Sequence, residues 1–368
     1  MSITGVELRR VRLPLVAPFR TGLGETRVRD ALLVKVTTSE AEGWGECTAM
    51  SEPTYTSEYV DGAQHVMRHH LVPRLLPRPD LTAEGVSPAL APVKGHPMAK
   101  CALEMAVLDA ELRAGGTSLA RHLGGVRDHV EAGVAVGMAG SVPELADTVG
   151  RYVDAGYRRV KLKVQPGWDV EPVRAIRERF ADVALHVDAN GAYGPGDEAH
   201  LAELDAFDLT MIEQPFAPDD LGAHARLATQ LRTPICLDES ITSAAAAAFA
   251  IASGAAAIVN IKASRVGGYL EARRVHDVCV AAGVPVWCGG MLETGLGRAA
   301  NVALASLPGF TLPGDLSASD RYYRTDITPP FVLEHGHLRV PDSPGLGVEL
   351  LPEVVEELTA TVEHMGGG

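Results

Sequence analysis

Val160-Lys-Leu-Lys-Val164, His186-Val-Asp-Ala-Asn190, Ile212-Glu-Gln-Pro215, Leu237-Asp-Glu-Ser240 and Asn260-Ile-Lys262 repeat one pattern across residues 160–262. Each is a short apolar run that ends on a charged side chain. The charged positions are Lys163, Asp188, Glu213, Asp238 and Lys262, spaced 25, 25, 25 and 24 residues apart. A near-constant period with a functional group at one phase is what a repeated βα unit produces. Further apolar runs lie at 133–136, 284–288 and, more weakly, 310–312.

Repeated βα units form either an open doubly wound sheet or a closed barrel. No G-x-G-x-x-G opens a helix after a strand and no G-x-x-x-x-G-K-[ST] is present; Gly22-Leu-Gly24 is a fragment lying before a strand. In an open sheet Lys163 and Lys262 stand four strand spacings apart, roughly 19 Å. In an eight-stranded barrel, strands two and six face each other across the mouth, and five scattered residues become one site. The sequence therefore predicts a barrel over residues 128–320. That length is short for eight full units, so the last helix is expected to be small or replaced.

Residues 1–127 read differently. Strand patterns at 5–13, 31–37 and 42–46 precede helical periodicity at about 57–76 and 100–114, a separate α+β unit. The whole chain has 368 residues, 46% hydrophobic and 22% charged, which excludes disorder. With 33 basic against 47 acidic residues and no basic run, neither a nucleic-acid nor a membrane partner is expected. Five widely spaced cysteines without a C-x-x-C pair fit reduced thiols in a cytoplasmic protein. The first residues carry Glu7, Arg9 and Arg10 where an export signal needs apolar residues. The uncharged run at 240–261 is long enough to span a bilayer, but its Ala, Ser, Gly and Thr content predicts a helix followed by a buried strand.

Three carboxylates in one cleft, Asp188, Glu213 and Asp238, repel one another unless a cation sits among them. Oxygen ligands without His or Cys select a hard cation, Mg²⁺ in the first instance, with Mn²⁺ or another divalent ion as substitute. An Asp at a βα junction also serves as a helix N-cap; equal spacing and the lysines at the same phase favour metal. Asn190 and Glu239 are expected to support the ligands. Lys161 and Lys163 lie on one strand face about 6.6 Å apart. At an effective dielectric near 20 their repulsion is ~2.5 kcal/mol, which lowers the outer lysine towards the range of a general base. A cation that neutralises charge developing on a carboxylate makes the neighbouring carbon a usable acid. One lysine then removes the α-proton of a small carboxylate substrate. Its return to the opposite face is racemisation; departure of a leaving group is β-elimination. A metal-dependent hydrolase would leave the opposed lysines without a role, and a non-catalytic binding barrel would not need all five polar groups.

At these residues the chain resembles the enolase superfamily, muconate-lactonising-enzyme subgroup, through K-x-K at 161–163, D-A-N at 188–190, E-Q-P at 213–215, L-D-E-S at 237–240 and N-I-K at 260–262. Lysine bases working beside Mg²⁺ are a recurring pattern of that superfamily. The resemblance implies a modified TIM barrel, (β/α)7β, under an α+β capping domain of residues 1–127 completed by 321–368. It implies metal ligands at Asp188, Glu213 and Asp238 and acid/base lysines at Lys163 and Lys262.

Pro14-Leu-Val-Ala-Pro-Phe-Arg20, Gly43-Trp-Gly-Glu-Cys47, Trp287-Cys-Gly-Gly-Met-Leu-Glu-Thr294 and Pro313-Gly-Asp-Leu-Ser-Ala-Ser-Asp320 are similar to the o-succinylbenzoate synthase / N-succinylamino acid (N-acylamino acid) racemase family. The implied reactions are racemisation of N-acylamino acids and dehydration of 2-succinyl-6-hydroxy-2,4-cyclohexadiene-1-carboxylate in menaquinone biosynthesis. Dipeptide epimerisation is the alternative within the subgroup, and a homo-oligomer is expected. Arg265 resembles an arginine that tunes the neighbouring lysine in racemase members. Ala135 stands where a serine near the substrate amide is often found. A lid at 19–24, with Phe19 and Arg20, a second cap loop with Met50 and Tyr55, and Gly290, Met291 and Leu292 after the seventh strand are expected to form the substrate pocket. His65, His69 and His70 are read as a solvated helix face, and 366–368 as a frayed tail.

Overall fold

The computed structural model describes residues 1–21 and 24–366. Gly22 and Leu23 of the expected lid, and Gly367 and Gly368 of the expected tail, lie outside those residues.

Three antiparallel strands open the chain: β1 (Ile3–Thr21), β2 (Gly24–Thr38) and β3 (Glu42–Cys47). The first two are longer than their apolar runs. Their ladder continues past the core through Phe19↔Thr26 and Arg20↔Glu25 to Thr21↔Gly24. The described residues of the expected lid, 19–21 and 24, are therefore ladder positions whose backbone groups pair across the strands. The helix Pro97–Ala114 packs on β3, almost entirely buried, with Pro97 in its first turn. Close approach here depends on two glycines. A Cβ on Gly43 would meet the Ala106 carbonyl oxygen at 2.2 Å, and one on Gly45 the Ala102 carbonyl oxygen at 2.1 Å. The expected helix at 57–76 is divided: Val60–Val66 and Val72–Leu75 flank a wider π turn, Met67–Leu71. Pro73, which has no N–H to donate, sits just beyond that turn.

After β4 (His129–Glu131) come seven parallel strands in sequence order: β5 (Gly133–Val136), β6 (Arg159–Lys163), β7 (Ala184–Asp188), β8 (Ile212–Glu213), β9 (Ile235–Leu237), β10 (Ile258–Ile261) and β11 (Val286–Cys288). The weak run at 310–312 closes the ring as bridges rather than a full strand. Phe310 pairs with Val286 and Gly314 with Ala132, and the Gly133 N–H donates to the Gly314 carbonyl at 2.7 Å. Among the described residues the 3₁₀ turn Ser319–Arg321 follows it in place of a full βα helix. The uncharged run at 240–261 divides into the helix Ala244–Ala252 and strand β10. Among the described residues no helix is long and apolar enough to cross a membrane.

The C-terminal segment returns to both ends of the fold. Strand β12 (His337–Arg339) pairs with β4, and β13 (Thr359–Gly366) extends the first sheet beside β1. Gly366 lies opposite Gly5, so the start of the expected frayed tail is a paired strand end.

Replacing Gly45 with Ala forces its methyl group into the helix backbone. The variant should lose ~1–3 kcal/mol of unfolding free energy in a denaturant titration. A midpoint equal to that of the parent would show that this packing can relax at no cost.

Candidate active site

The barrel interior carries a small apolar cluster of Met211, Cys236, Ile258 and Trp287. Above it lies a layer of charge. The Trp287 ring is fully buried and supports two cations, with the Arg159 guanidinium 4.9 Å and the Lys161 ammonium 4.8 Å from its centre. Arg159 donates to Asp315 at 2.7 Å. Lys161 lies 2.5 Å from Asp315, 3.1 Å from Glu213 and 3.2 Å from Asp188. The expected repulsion between Lys161 and Lys163 is therefore not that of two bare ammonium groups. Lys161 is surrounded by three carboxylates, and although burial works against its charge, they hold its pKa well above the ordinary lysine value.

Lys163 donates to Asp188 and to the Asn190 side-chain oxygen, both at 2.6 Å. Asn190 in turn donates to Glu239 at 2.8 Å. On the opposite wall Lys262 donates to Asp238 at 2.8 Å and to the Tyr55 hydroxyl at 3.0 Å. Arg265 is buried, not solvated. It grips the other oxygen of Asp238 and donates to the Ile241 carbonyl at 2.8 Å and the Asn260 carbonyl at 2.7 Å.

The three strand-end carboxylates are almost wholly buried. They do not cap the helices that follow: Ser141, Asp169, Asp220, Ser243 and Thr294 supply side-chain caps around the barrel. Glu213 is held by three donors, Lys161, the Asn260 amide at 2.7 Å and the His186 ring at 3.2 Å. Burial, with Arg159 and Lys161 nearby, keeps His186 neutral by pushing its pKa well down.

Among the described residues no three His, Cys, Asp or Glu side chains converge as a preformed metal cluster. Lysines and Arg265 take up the carboxylate oxygens instead. The donor set nevertheless fits a hard cation. Burial, then the charge of Asp188, pushes Glu213 up to about 8, and burial with Asp238 and Asp188 pushes Glu239 up to about 7. One oxygen of Glu239 is buried without a partner. These are anions short of positive charge, and every donor is an oxygen.

A cavity of about 290 Å³ opens over this layer. Lys161, Lys163, Asn190 and Lys262 line its floor; Ala135, Gly290, Met291 and Leu292 line its barrel wall; Phe19, Met50 and Tyr55 close it from the cap. Arg20 is the exception among the expected pocket residues. Its side chain is half exposed and pairs with Glu25 at 2.5 Å across the hairpin, because its strand position points it away from Phe19. His65, His69 and His70 are exposed on the cap surface.

Arg159, His186 and Asn260 were missed by sequence reasoning. Each lies two residues before a recognised site position, on the same strand face, so the period of two was the available signal. Asp315 was missed because the eighth run is weak and because it lies three residues beyond that run, where the other charged residues stand directly at the ends of theirs.

Residues 3–124 match the family described as "Mandelate racemase / muconate lactonizing enzyme, N-terminal domain", and residues 144–354 match "Enolase C-terminal domain-like". The chain belongs to this family: it is an enzyme of the enolase superfamily, muconate-lactonizing-enzyme subgroup. It is 64% identical over 367 residues to an N-succinylamino acid racemase of Amycolatopsis sp, covering 100% of both chains. It is 45% identical to an o-succinylbenzoate synthase of Geobacillus kaustophilus, covering 98% of this chain and 96% of the relative. Its fold superimposes with a TM-score of 0.91 on a dipeptide epimerase from Cytophaga hutchinsonii complexed with Mg and a dipeptide, 25% identical over 99% of this chain and 100% of that one. Superfamily members are divalent-metal dependent.

Asp315 tests the charged layer. Burial raises its pKa, but Lys161 and Arg159 outweigh this and hold it well below the usual carboxylate range. A depressed carboxylate adds stability above its unfolded value of about 4, and that stability is lost as pH falls. Asp315→Asn should therefore be less stable at neutral pH by ~3 kcal/mol, with a flatter loss below pH ~4, in urea titrations at several pH values. A constant difference across that range would contradict the assignment.

Proposed function

We propose that this chain moves a proton at the carbon next to a substrate carboxylate, as an N-succinylamino acid (N-acylamino acid) racemase that also acts as an o-succinylbenzoate synthase. The observation that carries this reading is two lysines on opposite barrel walls, Lys163 at the end of the second barrel strand, β6, and Lys262 just after the sixth, β10, opening into one cavity. Between them lie the carboxylates of Asp188, Glu213 and Asp238. The names of the relatives at 64% and 45% identity support the choice of substrates.

In this reading Asp188, Glu213 and Asp238 hold Mg²⁺ or a similar divalent cation. When bound, it supplies the positive charge that makes the α-proton of a carboxylate acidic. Lys163 takes the proton from one face of the substrate and Lys262 delivers one to the other, which inverts the centre. In the dehydration Lys163 first takes the α-proton and then gives a proton to the departing hydroxyl on the same face. Lys262 stays cationic, opposite the developing negative charge. Lys161 and Asn190 keep Lys163 aimed, and Arg265 shares Asp238 with Lys262. The pocket above, with Phe19, Met50, Tyr55, Met291 and Leu292, receives the acyl group and the amino-acid side chain. Ala135 leaves room at the amide without offering a hydroxyl. Residues 1–127 with the end of the 321–368 segment form the cap, 128–320 with strand β12 of that segment the catalytic barrel, and the enzyme is a cytoplasmic homo-oligomer.

Incubation with Mg²⁺ in deuterated buffer tests the reading directly. Deuterium should enter Cα of an N-succinylamino acid, and the cyclohexadiene substrate should lose water; neither event with the metal-loaded enzyme would refute it. Lys163→Ala and Lys262→Ala should each reduce racemisation by at least ~10³-fold, and full activity in either would remove the two-base assignment. Arg265→Gln should lower racemisation by roughly 10–100-fold and dehydration by less. Equal losses in the two assays would deny Arg265 a role specific to Lys262.

A further inference from the structure

The two lysines are held by different parts of the molecule. Both partners of Lys163 are barrel residues, Asp188 and Asn190, at the end of the neighbouring strand. Among the described residues Lys262 has one barrel acceptor, Asp238, and that carboxylate is shared with Arg265. Its stem runs against the barrel wall where glycine leaves room: a Cβ on Gly289 would meet the Lys262 Cε at 2.6 Å. Its remaining acceptor comes from the cap. The Tyr55 hydroxyl accepts from the ammonium at 3.0 Å, and the ammonium sits 4.6 Å from the centre of the Tyr55 ring. The same hydroxyl donates to Asp238 at 3.3 Å and accepts from Arg265 at 3.5 Å.

Tyr55 is not carried on a free loop. Met50 and Tyr59 form a bridge at the loop ends, with the Val60 N–H donating to the Met50 carbonyl at 2.8 Å. The Glu58 carboxylate accepts from the N–H groups of Met98 and Ala99 at 2.8 and 3.1 Å, which ties the loop to the first turn of the buried helix Pro97–Ala114. A phenol fixed in this way holds the lysine from above in a constant position.

We propose that, of the two lysines, Tyr55 positions Lys262 and not Lys163, directly and through the Asp238 and Arg265 that its hydroxyl also meets, so that the second cap loop completes one of the two acid/base groups while the barrel completes the other. The inference rests on the two-lysine reading above and adds an asymmetry to it. Proton transfer on the Lys262 face depends on the cap loop; transfer on the Lys163 face does not depend on Tyr55. A pocket residue that only contacts substrate would affect both faces together.

Deuterium exchange at Cα, followed separately for the two enantiomers of an N-succinylamino acid with Mg²⁺ present, distinguishes these cases. The enantiomer that still exchanges in Lys163→Ala is the one whose proton faces Lys262, and the one that still exchanges in Lys262→Ala faces Lys163. Tyr55→Phe keeps the ring and removes the hydroxyl. It should shift the ratio of the two exchange rates about tenfold against the Lys262 face, the effect of losing one hydrogen bond to a charged group. Tyr55→Leu, which also removes the ring from beside the ammonium, should move the ratio at least as far. If the wild type exchanges both enantiomers and both variants leave the ratio unchanged, the inference is overturned and the two-lysine reading stands. A wild type inert towards both enantiomers overturns the reading and the inference with it.

Discussion

Buried carboxylates cannot stand alone, and those at the mouth of this barrel include Asp188, Glu213, Asp238 and Asp315. Five cations, Arg159, Lys161, Lys163, Lys262 and Arg265, surround them. Removing such charges from water costs several kcal/mol each, which close pairing with hydrogen bonds at every oxygen can offset. The closed ring makes that pairing possible, because it brings strand ends far apart in sequence within reach of one another. The apolar runs of β5–β11 hold the ring together, and the Trp287 face gives the inner cations a surface to rest on.

Chemistry uses the same constraint. A set of oxygens crowded enough to push Glu213 up to about 8 is one that welcomes a divalent cation. The two lysines, balanced by aspartates rather than by water, are fixed in direction. Neither property follows from any one residue. Both follow from their number and closeness in a dry place.

The cap is joined to this centre by more than its apolar core. Glu46, from β3, accepts hydrogen bonds from Thr294 and Gly297 at the start of the helix Gly295–Ala305. Glu104, from the buried cap helix, accepts from Leu270 at the start of the helix Tyr269–Ala281. These are the helices after the seventh and sixth strands, so cap carboxylates sit at the positive ends of helices bordering the site. Gly268 leaves the space for Glu104, since a Cβ there would lie 2.2 Å from its carboxylate. Tyr55 at Lys262 continues this pattern into the cavity itself.

The period of the charged residues between Lys163 and Lys262 was readable from the chain alone, because a βα repeat places its strand ends at regular intervals whatever surrounds them. So were the strand runs and the all-oxygen chemistry of the side chains Asp188, Glu213 and Asp238 at their ends. What the chain did not disclose was pairing across distance. That Arg159 and Lys161 share Asp315, that Arg265 turns inward to Asp238, and that Tyr55 reaches Lys262 are matters of which groups meet after the ring closes. Arg20 shows the same limit in reverse, since in the finished hairpin it is taken up by Glu25 on the facing strand. Local periodicity is a property of neighbouring residues and survives in the sequence. Partners on different elements, 27 positions apart for Arg265 and Asp238 and 207 for Tyr55 and Lys262, are chosen by three-dimensional proximity and the need to neutralise buried charge, and only the folded chain decides that.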